Sequence, residues 1–231
     1  MPGHRKFENH EYRETVTDLR FRKICPHGTQ LLLGDSFQRI NRDANTRVGI
    51  STLGRYSMNN RGEKMIFFIT GASGVGKTTL VNELSKKYNG MPWSFFHFDS
   101  IGVPSVTEME KEFGTPSRWQ EVKTNEWIDK LINRCDAEKI FFEGQVNLQF
   151  IRNAFQKHNF KNYKTILLDC TEKEMGERLA DKRAQPELFN DDMRNWLRFL
   201  RTQARELGAK VIDTTNLSPD DLVKQFEEAI A

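Results

Sequence analysis

Short apolar runs and longer amphipathic stretches alternate along the chain from Met65 onward. Five runs rich in Phe, Ile, Leu and Val have the length and continuity of buried strands, at residues 65–70, 94–98, 139–143, 165–169 and 210–213. The stretches between and after them are typical of helices, at residues 78–87, 118–133, 146–157, 172–182, 191–207 and 219–230. This alternation predicts an α/β fold in which a doubly wound, five-stranded parallel sheet has helices on both faces.

A glycine-rich turn joins the first predicted strand to the first predicted helix. Residues 71–79 read GASGVGKTT and match the spacing G-x-x-x-x-G-K-[ST] of a P-loop. In this motif the backbone amides surround phosphate oxygens, the lysine reaches the β- and γ-phosphates, and the threonine hydroxyl holds Mg²⁺. We therefore expect ATP and Mg²⁺ as cofactors. The expected nucleotide-binding residues of this loop are Gly71, Ala72, Ser73, Gly74, Val75, Gly76, Lys77, Thr78 and Thr79.

An aspartate follows the second predicted strand, at the sheet edge where open α/β sheets bind ligands. Asp99 in that place is suited to accept a proton from a substrate hydroxyl or to orient it, and Ser100 beside it is a candidate substrate residue. An N-cap or turn aspartate is the alternative. His97 is interpreted as a half-buried strand residue.

A carboxylate also ends the third predicted strand. Residues 139–145 read KIFFEGQ, so Glu143 stands where a Walker B acid would hold hydrated Mg²⁺; simple strand termination is the alternative. We expect Gly144 to allow a substrate close to the backbone and Gln145 to contact a polar substrate.

Two arginines lie in the segment after the fourth predicted strand, which ends at the helix-breaking sequence AQPE. A lid that carries Arg178 and Arg183 would exclude water and neutralise charge during phosphoryl transfer. The alternative is a solvated helix face with ion pairs such as Glu174–Arg178.

The first 64 residues differ in charge from the rest. They contain 12 Lys and Arg against 7 Asp and Glu, whereas the remainder contains 23 against 25, so net charges of +5 and −2 give the +3 of the whole chain. Residues 30–33 and 48–53 are candidate strands. We expect a basic, weakly structured extension at residues 1–64 and a P-loop domain at residues 65–231. The extension is either a mobile segment, or sequence outside the native product, or a basic arm for nucleic acid or a protein partner.

Hydropathy and cysteine content indicate the cellular compartment. No apolar run approaches the length of a membrane span and the N-terminus lacks a secretory signal, so we expect a cytoplasmic protein without a membrane partner. Cys25, Cys135 and Cys170 are far apart and odd in number, and they are interpreted as reduced thiols outside any metal site.

With these motifs, residues 65–231 resemble the small P-loop kinases: adenylate, shikimate, gluconate and uridine kinases, chloramphenicol phosphotransferase and the zeta-toxin group. The resemblance implies a Mg-ATP-dependent phosphotransferase that acts on a hydroxyl or phosphate of a small molecule. It implies that Lys77, Asp99, Arg178 and Arg183 are catalytic, although the spacing from Arg178 to Arg183 is one residue longer than in the R-x-x-x-R lid pattern. It also implies an adenine pocket at residues 213–216, with Thr214 and Thr215.

The resemblance leaves the acceptor open. Elements after the second and third strands are expected to bind it, with Arg152 as a candidate contact for an anion and Trp119 and Trp127 interpreted as core residues. A polynucleotide 5′-kinase and a non-catalytic nucleotide-binding regulator are the alternative functions. A motor ATPase is disfavoured because Glu143-Gly144 lacks the expected acidic pair.

Overall fold

The computed structural model of the chain describes residues 63–231, and the two candidate strands at residues 30–33 and 48–53 lie outside this range. Five strands form one parallel sheet in the order β2-β3-β1-β4-β5. Their bounds are Met65–Thr70 for β1, Trp93–His97 for β2, Lys139–Gly144 for β3, Tyr163–Asp169 for β4 and Lys210–Asp213 for β5. The predicted five-stranded parallel sheet is confirmed.

Seven α-helices connect or follow the strands within residues 63–231. They are α1 (Lys77–Lys87), α2 (Val106–Phe113), α3 (Pro116–Asn133), α4 (Leu148–Lys157), α5 (Glu172–Glu177), α6 (Asp191–Leu207) and α7 (Pro219–Ile230). Short 3₁₀ turns occur at Phe98–Ile101 and Pro186–Leu188, and α5 continues into a π-helical turn at Arg178–Lys182. None of these helices combines the length and hydropathy that crossing a bilayer requires.

Alternate side chains of the strands enter two apolar clusters, one on each face of the sheet, because successive residues of a strand point to opposite sides. Phe67 and Phe141 stack at 5.0 Å in the cluster that α1, α6 and α7 cover. Phe68 and Phe142 lie on the other face, against α3 and α4. The expected coverage of both faces is thereby confirmed.

Trp119 and Trp127 are core residues, as predicted, with exposures of 5% and 7%. The indole of Trp127 donates a hydrogen bond to the carbonyl of Phe98 at 3.3 Å. This contact fixes α3 to the turn that follows β2.

Helix α2 was not predicted. Ser105 accepts a hydrogen bond from the backbone of Glu108, whose carboxylate accepts one from the amide of Ser105. This capping box compensates for the unpaired amides of the first helical turn. The S-x-x-E pattern was therefore the available sequence signal.

Lys64 belongs structurally with the sheet and helices, although the sequence placed it in the extension. Its ammonium group donates to the carbonyls of Leu131 and Ile132 at 3.2 and 2.6 Å, at the last turn of α3. A cation there stabilises the negative end of the helix dipole.

Candidate nucleotide and phosphoryl-transfer site

The glycine-rich loop leaves β1 and ends at the start of α1. Gly71 has φ +154°, and a Cβ there would lie 2.5 Å from the carbonyl oxygen of Leu168 in neighbouring β4, so only glycine fits. Gly76, at φ +99°, caps α1 and directs the chain into the helix. The amino end of α1 therefore opens into the loop, which is the arrangement that binds phosphate anions.

Lys77 lies inside the curve of this loop. Its Nζ donates to the carbonyl of Ala72 at 2.8 Å, and the residue is 8% exposed. Burial lowers the pKa of Lys77, an effect that the nearby negative charge of Glu143 opposes. The ammonium is thus held by the loop at the place where phosphate oxygens would bind.

Glu143, at the end of β3, accepts two hydrogen bonds on one carboxylate oxygen. The hydroxyl of Thr78 donates to Oε1 at 3.0 Å, and Nδ1 of His97 lies 2.8 Å from the same atom. Burial opposes ionisation of Glu143, but the His97 hydrogen bond and the charge of Lys77 prevail and lower its pKa. An ionised carboxylate only accepts, so Nδ1 of His97 carries the proton.

Oxygen ligands suit Mg²⁺, which commonly takes one or two protein ligands and completes its shell with phosphates and water. The hydroxyl of Thr78 and the carboxylate of Glu143 meet beside the P-loop, and both are hard oxygen donors. The residues present therefore fit a magnesium ion bound together with nucleotide phosphates.

Asp99 sits in the 3₁₀ turn that directly follows β2 and is partly buried. Burial raises its pKa, and the charge of Glu143 raises it further, while Lys77, His97 and Arg183 act in the opposite direction. Ser100 beside it is exposed and donates its hydroxyl to the carbonyl of His97 at 2.7 Å. Asp99 is thus a partly buried carboxylate close to the charged centre of the site.

Gln145, directly after β3, connects three elements. Its Oε1 accepts from the hydroxyl of Ser73 in the P-loop at 3.0 Å, and its carbonyl accepts from Gln120 of α3 at 3.0 Å. Gln120 also accepts from the amide of Asn147 at 3.1 Å. The sequence analysis did not identify Gln120. A glutamine in an amphipathic helix gives no sequence signal that shows whether its amide is solvated or makes internal hydrogen bonds.

The expectation for Gly144 was wrong. A Cβ at this position would lie 2.5 Å from Cβ of Phe98, so the space beside the glycine is filled by the turn after β2 and not left open for a substrate. Gly144 instead lets the segment that carries Asp99 pack directly against β3.

The two lid arginines have different environments. Arg178 donates to the carbonyl and hydroxyl of Thr214 at 2.6 and 3.0 Å, and it makes the predicted ion pair with Glu174 at 2.8 Å. Its side chain is only 12% exposed. Arg183, beyond the π-helical turn, is exposed. Arg178 is therefore fixed to the loop after β5, whereas Arg183 faces solvent.

A cleft of about 320 Å³ lies between the P-loop, the lid and the start of α7. The predicted residues that line it are Gly74, Gly76, Thr78, Thr79, Arg178, Arg183 and Thr214. Its walls also include residues that the sequence did not single out: Asn82, Lys182, Leu217, Ser218, Pro219 and Leu222.

Two further predicted residues, Thr215 and Arg152, do not line this cleft. The hydroxyl of Thr215 accepts from the amide of Thr171 at 3.0 Å and so connects the loops after β4 and β5. Arg152 is exposed on the second turn of α4 and makes no ion pair with a described residue. Neither position shows a contact with the cluster of Lys77, Asp99 and Glu143.

Comparison with solved structures gives the same fold. Shikimate kinase from Acinetobacter baumannii, solved in complex with shikimate, aligns over 72% of this chain and 93% of its own, at 15% identity and a TM-score of 0.51. Shikimate kinase from Aquifex aeolicus aligns over 72% and 96%, at 19% identity and a TM-score of 0.50. A gluconokinase from Sinorhizobium meliloti 1021 aligns over 73% and 93%, at 14% identity and a TM-score of 0.50.

The comparison with curated proteins finds no match. At the level of family, residues 67–214 match the AAA domain, and this range runs from within β1 to the first residue after β5. The fold is thus that of P-loop kinases, and the chain belongs to the AAA domain family.

Proposed function

We propose that the protein is a Mg-ATP-dependent kinase that transfers the γ-phosphoryl group to a hydroxyl or phosphate of a small molecule. The observation that carries this proposal is the shared oxygen of Glu143, on which the P-loop hydroxyl of Thr78 and the imidazole of His97 converge, with the partly buried carboxylate of Asp99 at the same edge of the sheet. A nucleotide-binding loop alone would not need a second, partly buried carboxylate at this edge of the sheet. Phosphoryl transfer does need one, to prepare the acceptor.

In this function the loop amides and Lys77 hold the β- and γ-phosphates. Thr78 and Glu143 would hold Mg²⁺, whose charge offsets that of the phosphate oxygens. The base of the nucleotide would enter the cleft that Thr214 and Pro219 line, where the planar guanidinium of Arg178 offers a stacking surface.

Asp99 would accept the proton of an acceptor hydroxyl while the oxygen of that hydroxyl bonds to the γ-phosphorus. The bond between that phosphorus and the β–γ bridging oxygen breaks, and ADP leaves with the electron pair. The raised pKa of Asp99 makes it a stronger base than an exposed aspartate. Arg183, which is exposed on the lid, would approach the transferring group and neutralise its charge.

We assign this function to the P-loop domain predicted at residues 65–231, to which Lys64 is joined by its hydrogen bonds to the end of α3. The extension predicted at residues 1–64 is given no part in the reaction.

The direct test follows the γ-phosphoryl group of labelled ATP into a panel of sugars, nucleosides, antibiotics and oligonucleotides, with the products identified by mass. Asp99→Asn is the matched control, since it keeps the shape of the side chain and removes the base. We expect transfer to fall by about 100-fold or more in this variant while ATP binding persists. Equal rates in the two proteins would exclude Asp99 as the base, and transfer to no compound of the panel would count against a kinase. Labelling of oligonucleotide 5′ ends alone would favour a polynucleotide kinase.

A further inference from the structure

The backbone directly after β3 is held from two sides. Thr70, at the end of β1, donates its hydroxyl to the carbonyl of Val146 at 2.6 Å and accepts from the amide of Val146 at 3.1 Å. Gln120 of α3 donates to the carbonyl of Gln145 at 3.0 Å and accepts from the amide of Asn147 at 3.1 Å. Both side chains are buried, with exposures of 0% for Thr70 and 6% for Gln120. The segment that carries Gln145 is therefore rigidly supported.

The side chain of Gln145 reaches from this segment to the P-loop. The hydroxyl of Ser73 donates to its Oε1 at 3.0 Å, and this is its only side-chain hydrogen bond within residues 63–231. Because the oxygen and nitrogen of an amide share one carbon, the contact with Ser73 also places Nε2 beside the loop. Gln145 is thus oriented toward the loop at both its backbone and its side chain.

Nε2 of Gln145 is an unused donor. An amide nitrogen carries two N–H groups, and neither has an acceptor in the described part of the chain. The nitrogen is also open to solvent, since the unpaired polar side-chain atoms that are closed off there belong to Asn125, His158 and Trp196. A pair of N–H groups is therefore available to a ligand at this point of the loop.

The neighbouring contacts relate this donor to the phosphates. Ser73 directly follows Ala72, whose carbonyl accepts from Nζ of Lys77 at 2.8 Å, and in the P-loop motif this lysine reaches the β- and γ-phosphates. Glu143, two residues before Gln145, meets Thr78 at the other end of the loop, where the residues fit Mg²⁺. Gln145 therefore contacts the loop beside the place expected for the terminal phosphate.

The free atoms of the amide favour a phosphate over the acceptor hydroxyl as ligand. Oε1 is already occupied by Ser73, so Nε2 can only donate. Phosphate oxygens only accept, whereas the acceptor hydroxyl has a proton to give up and needs the carboxylate of Asp99.

We propose that Gln145 is a further catalytic residue, whose Nε2 donates a hydrogen bond to an oxygen of the γ-phosphoryl group. This deepens the proposed kinase function and rests on it. During transfer the negative charge is spread over the three outer oxygens of that group. Donors that are already fixed in place stabilise such charge without reorganising, and the supports of Gln145 provide this.

The test compares Mg-ATP with Mg-ADP, which lacks the γ-phosphate, by isothermal titration calorimetry of the full chain. Gln145→Met removes the amide at similar length and without adding charge. We expect its ATP affinity to fall about tenfold, as for the loss of a hydrogen bond to a charged group, and its ADP affinity to stay within about twofold of wild type. A residue that only supports the loop would weaken both nucleotides equally.

Gln145→Glu separates the donor from the contact with Ser73. The carboxylate keeps an acceptor for the hydroxyl of Ser73 but replaces the N–H groups by a negative charge, so ATP affinity should fall further than in Gln145→Met. Gln149→Glu on α4 is the matched control, because it adds the same charge where Nε2 donates to Asn153 at 2.7 Å. We expect neither affinity to change in this control, and urea unfolding establishes that the variants are folded.

Three calorimetric results would overturn the proposal. The first is an unchanged ratio of ATP to ADP affinity in both Gln145 variants, and the second is an equal loss for the two nucleotides. The third is a loss in Gln145→Glu alone, which would reflect the added charge and not the missing donor. Folded wild-type protein that does not bind ATP would overturn it together with the role of the P-loop.

Kinetics with an acceptor from the panel distinguish this proposal from the kinase function. In Gln145→Met we expect kcat to fall at least about tenfold while the KM of the acceptor stays within about twofold. A raised acceptor KM with unchanged kcat would place the amide at the acceptor and overturn the proposal, although the protein would still be a kinase. Absence of transfer in wild type counts against the kinase function and therefore against a catalytic Gln145, whereas the comparison of ATP with ADP still decides whether Gln145 binds the γ-phosphate.

Discussion

Nδ1 of His97 and Oε1 of Glu143 lie 2.8 Å apart across the neighbouring strands β2 and β3, and their backbones are direct partners in the sheet. This hydrogen bond orients the carboxylate whose same oxygen receives the hydroxyl of Thr78. In His97→Ala the orienting donor is lost, so we expect the Mg²⁺ concentration for half-maximal ATP binding to rise about tenfold. Calorimetric titrations of ATP at several Mg²⁺ concentrations measure this.

His97→Asn is the conservative variant, because its amide N–H is placed to replace Nδ1, and it should stay close to wild type. His158→Ala, at the end of α4, is a control that should leave the Mg²⁺ dependence unchanged. An unchanged Mg²⁺ dependence in His97→Ala, together with equal rates of phosphoryl transfer in His97→Asn and His97→Ala, would show that His97 does not position Glu143.

Asp99 should reduce stability at neutral pH. Its pKa is raised in the folded protein, so folding is favoured while the carboxyl is protonated and loses that advantage as the pH rises through the raised pKa. At pH 7 the partly buried charge is therefore a cost that Asp99→Asn removes. We expect the Tm of this variant to exceed that of wild type at pH 7, and the difference to vanish as the pH falls below about 4.

Thermal unfolding measured across this pH range tests the prediction. The control is Asp136→Asn, at an exposed aspartate beyond α3, which should not raise the Tm. A lower Tm of Asp99→Asn at pH 7 would mean that Asp99 stabilises the fold, as an N-cap or turn residue does.

Substitutions of Arg178 and Arg183 should have different effects on stability, ATP affinity and kcat. Arg178→Lys loses the planar set of hydrogen bonds to Thr214 and Glu174, so we expect unfolding free energy to fall by about 2 kcal/mol and ATP affinity to fall with it. Urea unfolding and calorimetry measure the two quantities.

Arg183→Ala should keep both stability and ATP affinity and lower kcat by about 100-fold or more, because in the proposed function its charge acts only during transfer. The division of roles is contradicted if the two variants lose stability equally, or if Arg183→Ala transfers at the wild-type rate.

Gly144→Ala should destabilise the domain, since the added methyl group would meet Cβ of Phe98 at 2.5 Å, in a contact between two backbone-anchored atoms. Overpacking of this kind typically costs about 1–3 kcal/mol. Because Phe98 precedes Asp99, transfer should slow more than ATP binding weakens. Wild-type stability in urea would show that the turn after β2 can move away without cost.

The sequence was sufficient for those parts of the fold that local patterns determine. The five strands were predictable because each contains a short apolar run, and the P-loop because its glycines, Lys77 and Thr78 lie within eight consecutive residues. The helix predicted at residues 172–182 is divided into α5 and a π-helical turn, and apolar spacing does not distinguish the two.

The relationships within the site depend on tertiary contacts and could not be obtained in this way. His97 and Glu143 are 46 residues apart and meet only through the register of β2 and β3. Gly144 was misinterpreted because the residue that fills its empty side, Phe98, comes from a neighbouring strand end.

The central claim is that the loop at Gly71–Lys77 binds the phosphates of Mg-ATP. Isothermal titration calorimetry of the full chain with ATP and Mg²⁺ tests it most directly, with Lys77→Ala as the comparison and circular dichroism to establish that both proteins are folded. We expect a single saturable site in the wild-type protein and a loss of affinity of at least about tenfold in Lys77→Ala. Folded wild-type protein that gives no binding heat with millimolar ATP or GTP at any temperature tested would contradict the claim.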